Sequence, residues 1–456
     1  MHHRRPLSLL ACLAAFGVAC AGADASRVTA PVASVVDVAA NPLAEREAAV
    51  RGLFVAAPTV PEGLFAPGFL AAVPAAQVAA ISASLYAQAG ALEELRVVSR
   101  DGAYAAKYEG RFAKGVVAPM SLTVEPTPPH RITGFRIGGF SKPVEASSLG
   151  DLPARFAELP GQVSFAACRL GDGPAQVVAG HEPDRALGIG SSFKLWILGT
   201  LARDVAEGRR AWTEVTTLTQ GDRSLPSGFL QKWPVGAPVT LHTLASLMIS
   251  QSDNTATDTL LRVLGRERVE ETMSRMGAGA AARNRPFLST AELFALKGGM
   301  PKEKSATFAA MDEQARRAFL AAELNPVDLA SFQDWGAPYE LDRLEWFASA
   351  ADLCRALDWL RIAGEGKTGA PVLDILAINP GLPQGGKFAY HGFKGGSEPG
   401  VVAHAHLVRT KGGAWWAVAA AWNDAAGPVE HARVNGLLEK ALGMVADEPQ
   451  VAGEVK

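Results

Sequence analysis

The sequence predicts an α+β chain of two domains. The smaller is a curved antiparallel sheet with helices packed on it. In the larger, helices flank an antiparallel sheet. Three observations carry this. At 456 residues the chain is too long for one ordinary core. Between residues 43 and 145, helical runs come first and strand-like runs follow, the order of an α+β unit. The stretch "SKPVEASSLGD" (141–151) then reads as a linker, and beyond it strands at both ends enclose a long helical middle. The division is accordingly 1–25 as a leader, 43–145 as the small domain and 146–456 as the large one.

The leader reads "MHHRRPLSLLACLAAFGVACAGADAS". Arg4 and Arg5 precede an apolar stretch from Leu7 to Ala19, and small residues follow, the pattern of a secretory signal too short to span a membrane comfortably. "GVAC" fits a lipobox that would place a lipid on Cys20. "ADA" at 23–25 fits a cleavage site that would release a soluble protein. Either way the expected location is outside the cytoplasm, periplasmic or lipid-anchored to a membrane.

In the small domain, "LAEREAAVRGLFVAA" and "AAVPAAQVAAISASLYAQAG" read as helices, with Gly90 as a stop. Four strand-like runs follow, "LRVVSR", "AYAAKYEGRF", "VVAPMSLTVE" and "HRITGFRIG", separated by turn residues. No nucleophile–base pair occurs among them. In the large domain "QVSFAACRL" and "AQVVAGH" read as strands, further strands lie near 387–423, and "VEHARVNGLLEKALGMVA" closes the chain as an amphipathic helix. Strands from both ends of this domain are expected to form one sheet.

Composition excludes several functions. Apolar residues at 48% and charged residues at 20% describe a soluble globular chain. A formal net charge of -2 offers nothing to nucleic acid. Of the four cysteines, Cys12 and Cys20 belong to the leader, leaving Cys168 and Cys354, with no metal-binding spacing. These two read as buried thiols, with a disulfide open to them in an oxidising compartment. His404 and His406 alternate on a strand and read as packing residues.

Chemistry enters at "GSSFKLWIL" (190–198), where Lys194 stands in a run with almost no polar face. A charge there is costly unless it is paired, neutralised or used. Ser191 precedes it by three, on the same helical face. Such a pair alone means little: 24 Ser and 14 Lys give about 0.7 by chance. "SDN" at 252–254 is rarer, with about 0.02 expected by chance. "FKGGSEPG" (393–400) adds a strand lysine followed by two glycines. Singly, each has a plain reading: a snorkelling lysine, a helix cap, a hairpin turn.

The order Ser-x-x-Lys, Ser-Asp-Asn, Lys-x-Gly resembles that of the penicillin-recognising serine hydrolases, class A β-lactamases above all. The resemblance covers about 152–446 and extends to "PVTLHTLASLMISQSDNTATDTLLRVLG", similar to that family's central helical hairpin, and to "WAVAAAWN", similar to its last strand. It implies a β-lactamase/transpeptidase-like fold and an acyl-enzyme on Ser191. Ser191 at a helix N-terminus would meet the positive end of the dipole. Lys194, desolvated, would have a lowered pKa and take the serine proton. Ser252 would relay that proton to the leaving amine, Asn254 would hold the substrate's amide, and Lys394 would attract a substrate carboxylate. Gly395 and Gly396 would leave the strand bare for an edge-on substrate. The N–H groups of Ser191 and Ser397 would form the oxyanion hole. The resemblance implies no metal and no organic cofactor. Its substrates are small: a β-lactam or a related ester or amide. A D-alanyl-D-alanine peptidase acting on cell-wall peptide, or a non-hydrolytic penicillin-binding sensor or scaffold, are the alternatives.

The sequence departs from that family in places. Class A enzymes carry Glu-x-x-Leu-Asn in an Ω loop. The only Leu-Asn here is in "AAELN", with Ala321 where the glutamate would stand. Counting back from "FASAADLCRAL" lands near Gln333, and Asp334, Glu340 and Asp342 are nearby acids out of frame. The interval 284–340 holds an insertion, and Gly395 replaces a Thr or Ser. Weak deacylation is the expectation. The two-domain layout resembles serine hydrolases of clavam biosynthetic clusters, whose small domain is of the nuclear-transport-factor or cystatin-like kind.

Overall fold

The computed structural model describes residues 41–324, 335–382 and 384–448. The leader with Cys12 and Cys20 lies outside the described residues, as do Gln333 and Asp334. The chain divides into two compact units, Met1–Pro143 and Val144–Lys456, with the division inside the linker-like stretch.

In the first unit, α1 (Pro42–Arg51) starts where the Asn41 side chain accepts from the Leu43 N–H and Pro42 takes the first helical position. The next helical run is split. Pro74 separates α2 (Pro67–Ala72) from α3 (Ala75–Ala89), because a proline has no N–H to continue a helix. Gly90, at φ 81°, stops α3 as expected. Four strands follow: β1 (Leu92–Asp101), β2 (Ala105–Phe112), β3 (Val117–Val124) and β4 (Ile132–Ile137). They pair in sequence order, all antiparallel. Tyr108, Phe112, Met120 and Leu122 are buried on one face, while Lys107, Arg111 and Thr123 point the other way. Tyr108 donates its hydroxyl to Glu47 of α1 at 2.7 Å, tying helix to sheet.

The second unit begins with α4 (Leu152–Ala157), β5 (Gln162–Leu170), β6 (Gln176–His181) and the short β7 (Leu187–Gly188). Then come α5 (Lys194–Ala206), the small pair β8 (Val215–Thr217) and β9 (Pro238–Thr240), and α6 (Leu241–Ser250), α7 (Asn254–Leu264) and α8 (Arg266–Arg275). The interval 284–340 supplies α9 (Thr290–Phe294), a π-helical turn at Ala295–Gly299, α10 (Lys302–Ala310) and α11 (Glu313–Glu323). The chain closes with β10 (Phe347–Ala348), α12 (Ala350–Glu365), α13 (Pro371–Ala377), β11 (Phe388–Glu398), β12 (Val401–Thr410), β13 (Trp415–Asn423) and α14 (His431–Ala446).

Strands from both ends form one antiparallel sheet in the order β11-β12-β13-β5-β6. Both faces of its inner strands are covered, so β5, β12 and β13 are buried along most of their length. Ala166, Cys168, Ala405, Leu407, Ala417 and Ala419 face one core, shared with α5, α6, α7 and α12. Phe165, Ala167, Val408, Trp416, Val418 and Trp422 face the other, closed by α4 and α14. Cys168 and Cys354 are both buried and free. Among the described residues no helix is long and apolar enough to cross a membrane.

Candidate active site

The chain enters the site through β7, which pairs with β10. Gly190 then takes φ +46° and opens a 3₁₀ turn, Gly190–Phe193, that leads into α5. Ser191 therefore stands one short turn ahead of the α-helix, and Lys194 is the first α-helical residue. In a 3₁₀ turn residues three apart eclipse, so the two still share a side. Ser191 is half-buried. Ser192 is fully buried and its hydroxyl has no hydrogen-bond partner among the described residues.

Lys194 is wholly buried. Its Nζ donates to the carbonyl of Ser252 at 2.7 Å, to Ser252 Oγ at 3.2 Å and to Asn254 Oδ1 at 2.7 Å. Lys394, on β11, donates to the same Ser252 Oγ at 3.1 Å and to the carbonyl of Gly395. One hydroxyl thus lies within hydrogen-bond distance of both lysine amino groups. Ser252 is held at φ +53°, a conformation side chains other than glycine rarely adopt.

Asp253 fixes that conformation. It is the N-cap of α7, accepting from Ala256 N at 2.8 Å, and its second oxygen accepts from Phe229 N at 2.7 Å and Leu230 N at 3.0 Å. The cap reading of Ser-Asp-Asn holds, and Lys194 bonds both Ser252 and Asn254. Asn254 is 1% exposed and its amide is engaged at both ends, Oδ1 to Lys194 and Nδ2 to Leu225 O at 2.9 Å. Its geometry orients the lysine. Nδ2 carries two N–H donors, so the substrate contact expected of it would use the one not given to Leu225 O.

β11 runs along the Gly190–Phe193 turn with no side chain between. A Cβ on Gly396 would lie 2.4 Å from the Ser191 nitrogen and 2.2 Å from Ile189 O. A Cβ on Gly190 would lie 2.9 Å from the Ser397 nitrogen. The two backbones that carry the Ser191 and Ser397 N–H groups thus meet at bare glycines. The motif residues far apart in sequence, Ser191, Lys194, Ser252, Asn254, Lys394, Gly395, Gly396 and Ser397, come together here.

Sequence reasoning missed a neighbouring group. Lys297, in the π-helical turn, is buried and bonded to both Glu345 and Glu398, the latter two residues past Gly396. Burial, and then the Glu345 charge, push the Glu398 carboxyl well above its ordinary range. The only signal was a lysine in the apolar run "FALKGG", since its partners lie 48 and 101 residues away. Of the acids near the Ω frame, Glu340 is clasped by Arg343 with two bonds of 2.7 Å. Among the described residues no group of three or more His, Cys, Asp or Glu could hold a metal ion.

This arrangement defines a mixed helix-and-sheet domain in which two buried lysines converge on one serine beside the turn that carries Ser191. That domain is β-lactamase-like: residues 150–318 match the family model described as the β-lactamase enzyme family. Among solved structures the chain is similar to a β-lactamase from Sphaerobacter thermophilus, at 22% identity, covering 66% of this chain and 98% of that one, with a TM-score of 0.48. It is also similar to a PBP-A mutant in acyl-enzyme complex with penicillin G, at 19% identity over 65% and 96% of the two chains, with a TM-score of 0.43. A β-lactamase from Chitinophaga pinensis matches at 16% identity over 65% and 97%, with a TM-score of 0.44. No curated protein matches the chain.

Proposed function

We propose that the larger unit is a serine hydrolase that acts on a β-lactam, or a related ester or amide, through an acyl-enzyme on Ser191. The observation that carries this is the convergence of Lys194 and Lys394 on Ser252 Oγ. Ser191 Oγ attacks the substrate carbonyl and its proton passes to Lys194 in the neutral form. The Ser191 and Ser397 N–H groups receive the oxyanion. Lys194 returns the proton through Ser252 to the leaving nitrogen, so the ring C–N bond breaks as the new ester forms. Asn254 and the Ser252 carbonyl aim the Lys194 amine, and Lys394 attracts the substrate's carboxylate and fixes the relay serine.

Deacylation is slow in this reading, because no glutamate stands in the Ω frame and Glu340 is tied to Arg343. Losing a positioned base typically costs about 10² to 10⁴ in rate. The N-terminal segment supports export, with either a lipid on Cys20 or release after residue 25. The test of the activity is parallel: fluorescent penicillin for labelling and nitrocefin for turnover. Stoichiometric labelling with weak turnover is expected. The absence of both labelling and turnover would overturn the reading.

A further inference from the structure

Lys297 links the two backbone segments that carry the Ser191 and Ser397 N–H groups. It stands in the π-helical turn Ala295–Gly299, a rare geometry frequent at functional sites. Ser305 of α10 secures that turn by donating its hydroxyl to Leu296 O. The buried ammonium bonds both Glu345 and Glu398. Glu398 ends β11 and directly follows Ser397. Glu345 directly precedes Trp346, whose carbonyl accepts from Ile189 N at 3.0 Å, two residues ahead of Ser191. Its side chain also packs on Gly188 of β7, where a Cβ would lie 2.8 Å from Glu345 Cγ. One amine therefore anchors both the turn that carries Ser191 and the end of β11.

The charges of this trio balance. Two ionised carboxylates would leave a net negative charge in the interior, which is costly. Glu345 and Glu398 also hydrogen-bond each other, and two carboxyls do so only with a proton between them. Burial, and then the Glu345 charge, keep that proton on Glu398. The result is a closed triangle of an ammonium, a carboxylate and a carboxylic acid, each bonded to the other two and neutral in sum. The acyl-transfer steps use none of the three.

We propose that Lys297, Glu345 and Glu398 are positioning residues for acyl transfer, a clasp that sets the spacing of the two N–H groups receiving the oxyanion. The role rests on the acyl-transfer reading. Bare glycines let the two backbones approach, since a Cβ on Gly190 would lie 2.9 Å from the Ser397 nitrogen. The clasp then holds them there. The oxyanion contact is made in the transition state, so loosening it slows acylation without weakening the first encounter with substrate. A misplacement of about 1 Å costs about 10²-fold.

The experiment is stopped-flow acylation of the full chain by benzylpenicillin, which separates the limiting rate constant from the half-saturating concentration. Glu398→Met cuts the β11 arm and Glu345→Met the β10 arm. Each leaves Lys297 paired with one carboxylate, so no buried charge is stranded. Both should lower the rate constant about 10 to 10²-fold and leave the half-saturating concentration within about twofold of the parent. The two variants are independent, so one that fails to fold leaves the other to decide. Glu398→Gln keeps the clasp, its amide N–H replacing the acid O–H, and should lose less than about threefold. A merely structural role would lower the melting temperature of the Met variants and spare the rate constant of the folded chain. Rate constants within about twofold of the parent in both Met variants, or a change confined to the half-saturating concentration, overturn the clasp. Equal losses in Glu398→Gln and Glu398→Met overturn the proton on Glu398. A parent that penicillin never acylates takes down the acyl-transfer reading and the clasp with it, whereas a parent acylated no faster than its Met variants takes down the clasp alone.

Discussion

Gly396 and Ser191 meet backbone to backbone, with room for only 2.4 Å between a Cβ at residue 396 and the Ser191 nitrogen. No side chain fits there without driving β11 away from the nucleophile turn. Gly396→Ala should keep the fold and cut acylation by penicillin about 10² to 10³-fold, the loss typical of one oxyanion donor. Stopped-flow acylation rates check this, and an unchanged rate would show that the two N–H groups do not act together.

The two adjacent serines should separate cleanly. Ser191→Ala should abolish covalent labelling. Ser192→Ala should leave it within a few-fold, and removal of a buried, unsatisfied hydroxyl should hold or raise stability. Gel labelling together with thermal melting reads both, and equal loss of label in the two variants would contradict the assignment.

Much of this was legible in the sequence because it depends on local rules. The run "QVSFAACRL" is β5, residue for residue, and Gly90 ends α3 because its φ of 81° suits a residue without Cβ. Motif order placed Ser191, Lys194, Ser252 and Lys394, but spacing could not tell a 3₁₀ turn from an α-helix, since residues three apart share a side in both. Nor could it show that Asn254 spends both ends of its amide on the protein, because Leu225 O meets it only in the fold. The Lys297–Glu345–Glu398 group is non-local for the same reason.

Asn254 supplies an acceptor for Lys194. Asn254→Leu keeps the volume and removes that acceptor, so the amine loses its aim. Acylation should fall about 10²-fold, with a modest drop in melting temperature from the unpaired Leu225 carbonyl. A rate within twofold of the parent would show that the Ser252 carbonyl alone orients the lysine.

Acid should weaken the larger unit through a cluster of buried histidines. His391 of β11 and His404 and His406 of β12 pack together, with Lys394 and His431 acting on His404. Burial holds His391 at about 4 and His404 at about 3, and pushes His406 well down. Unfolded histidines titrate near about 6.5. The unfolded chain therefore binds more protons between these values, so stability is full above pH ~6.5 and falls as pH drops. His391 alone contributes about 3 kcal/mol of that loss by pH 4. Urea midpoints across this range should decline less steeply in His391→Gln than in the wild type, and parallel declines in the two would refute the neutrality of His391.

The central claim is the covalent bond to Ser191, and intact-mass spectrometry after a benzylpenicillin pulse tests it most directly. One penicilloyl adduct should form on the wild-type chain, map to the peptide containing Ser191, outlast the pulse by minutes or longer, and be absent from Ser191→Ala. A wild-type mass unchanged at every time, with no penicillin consumed, or an equal adduct on Ser191→Ala, would contradict the account.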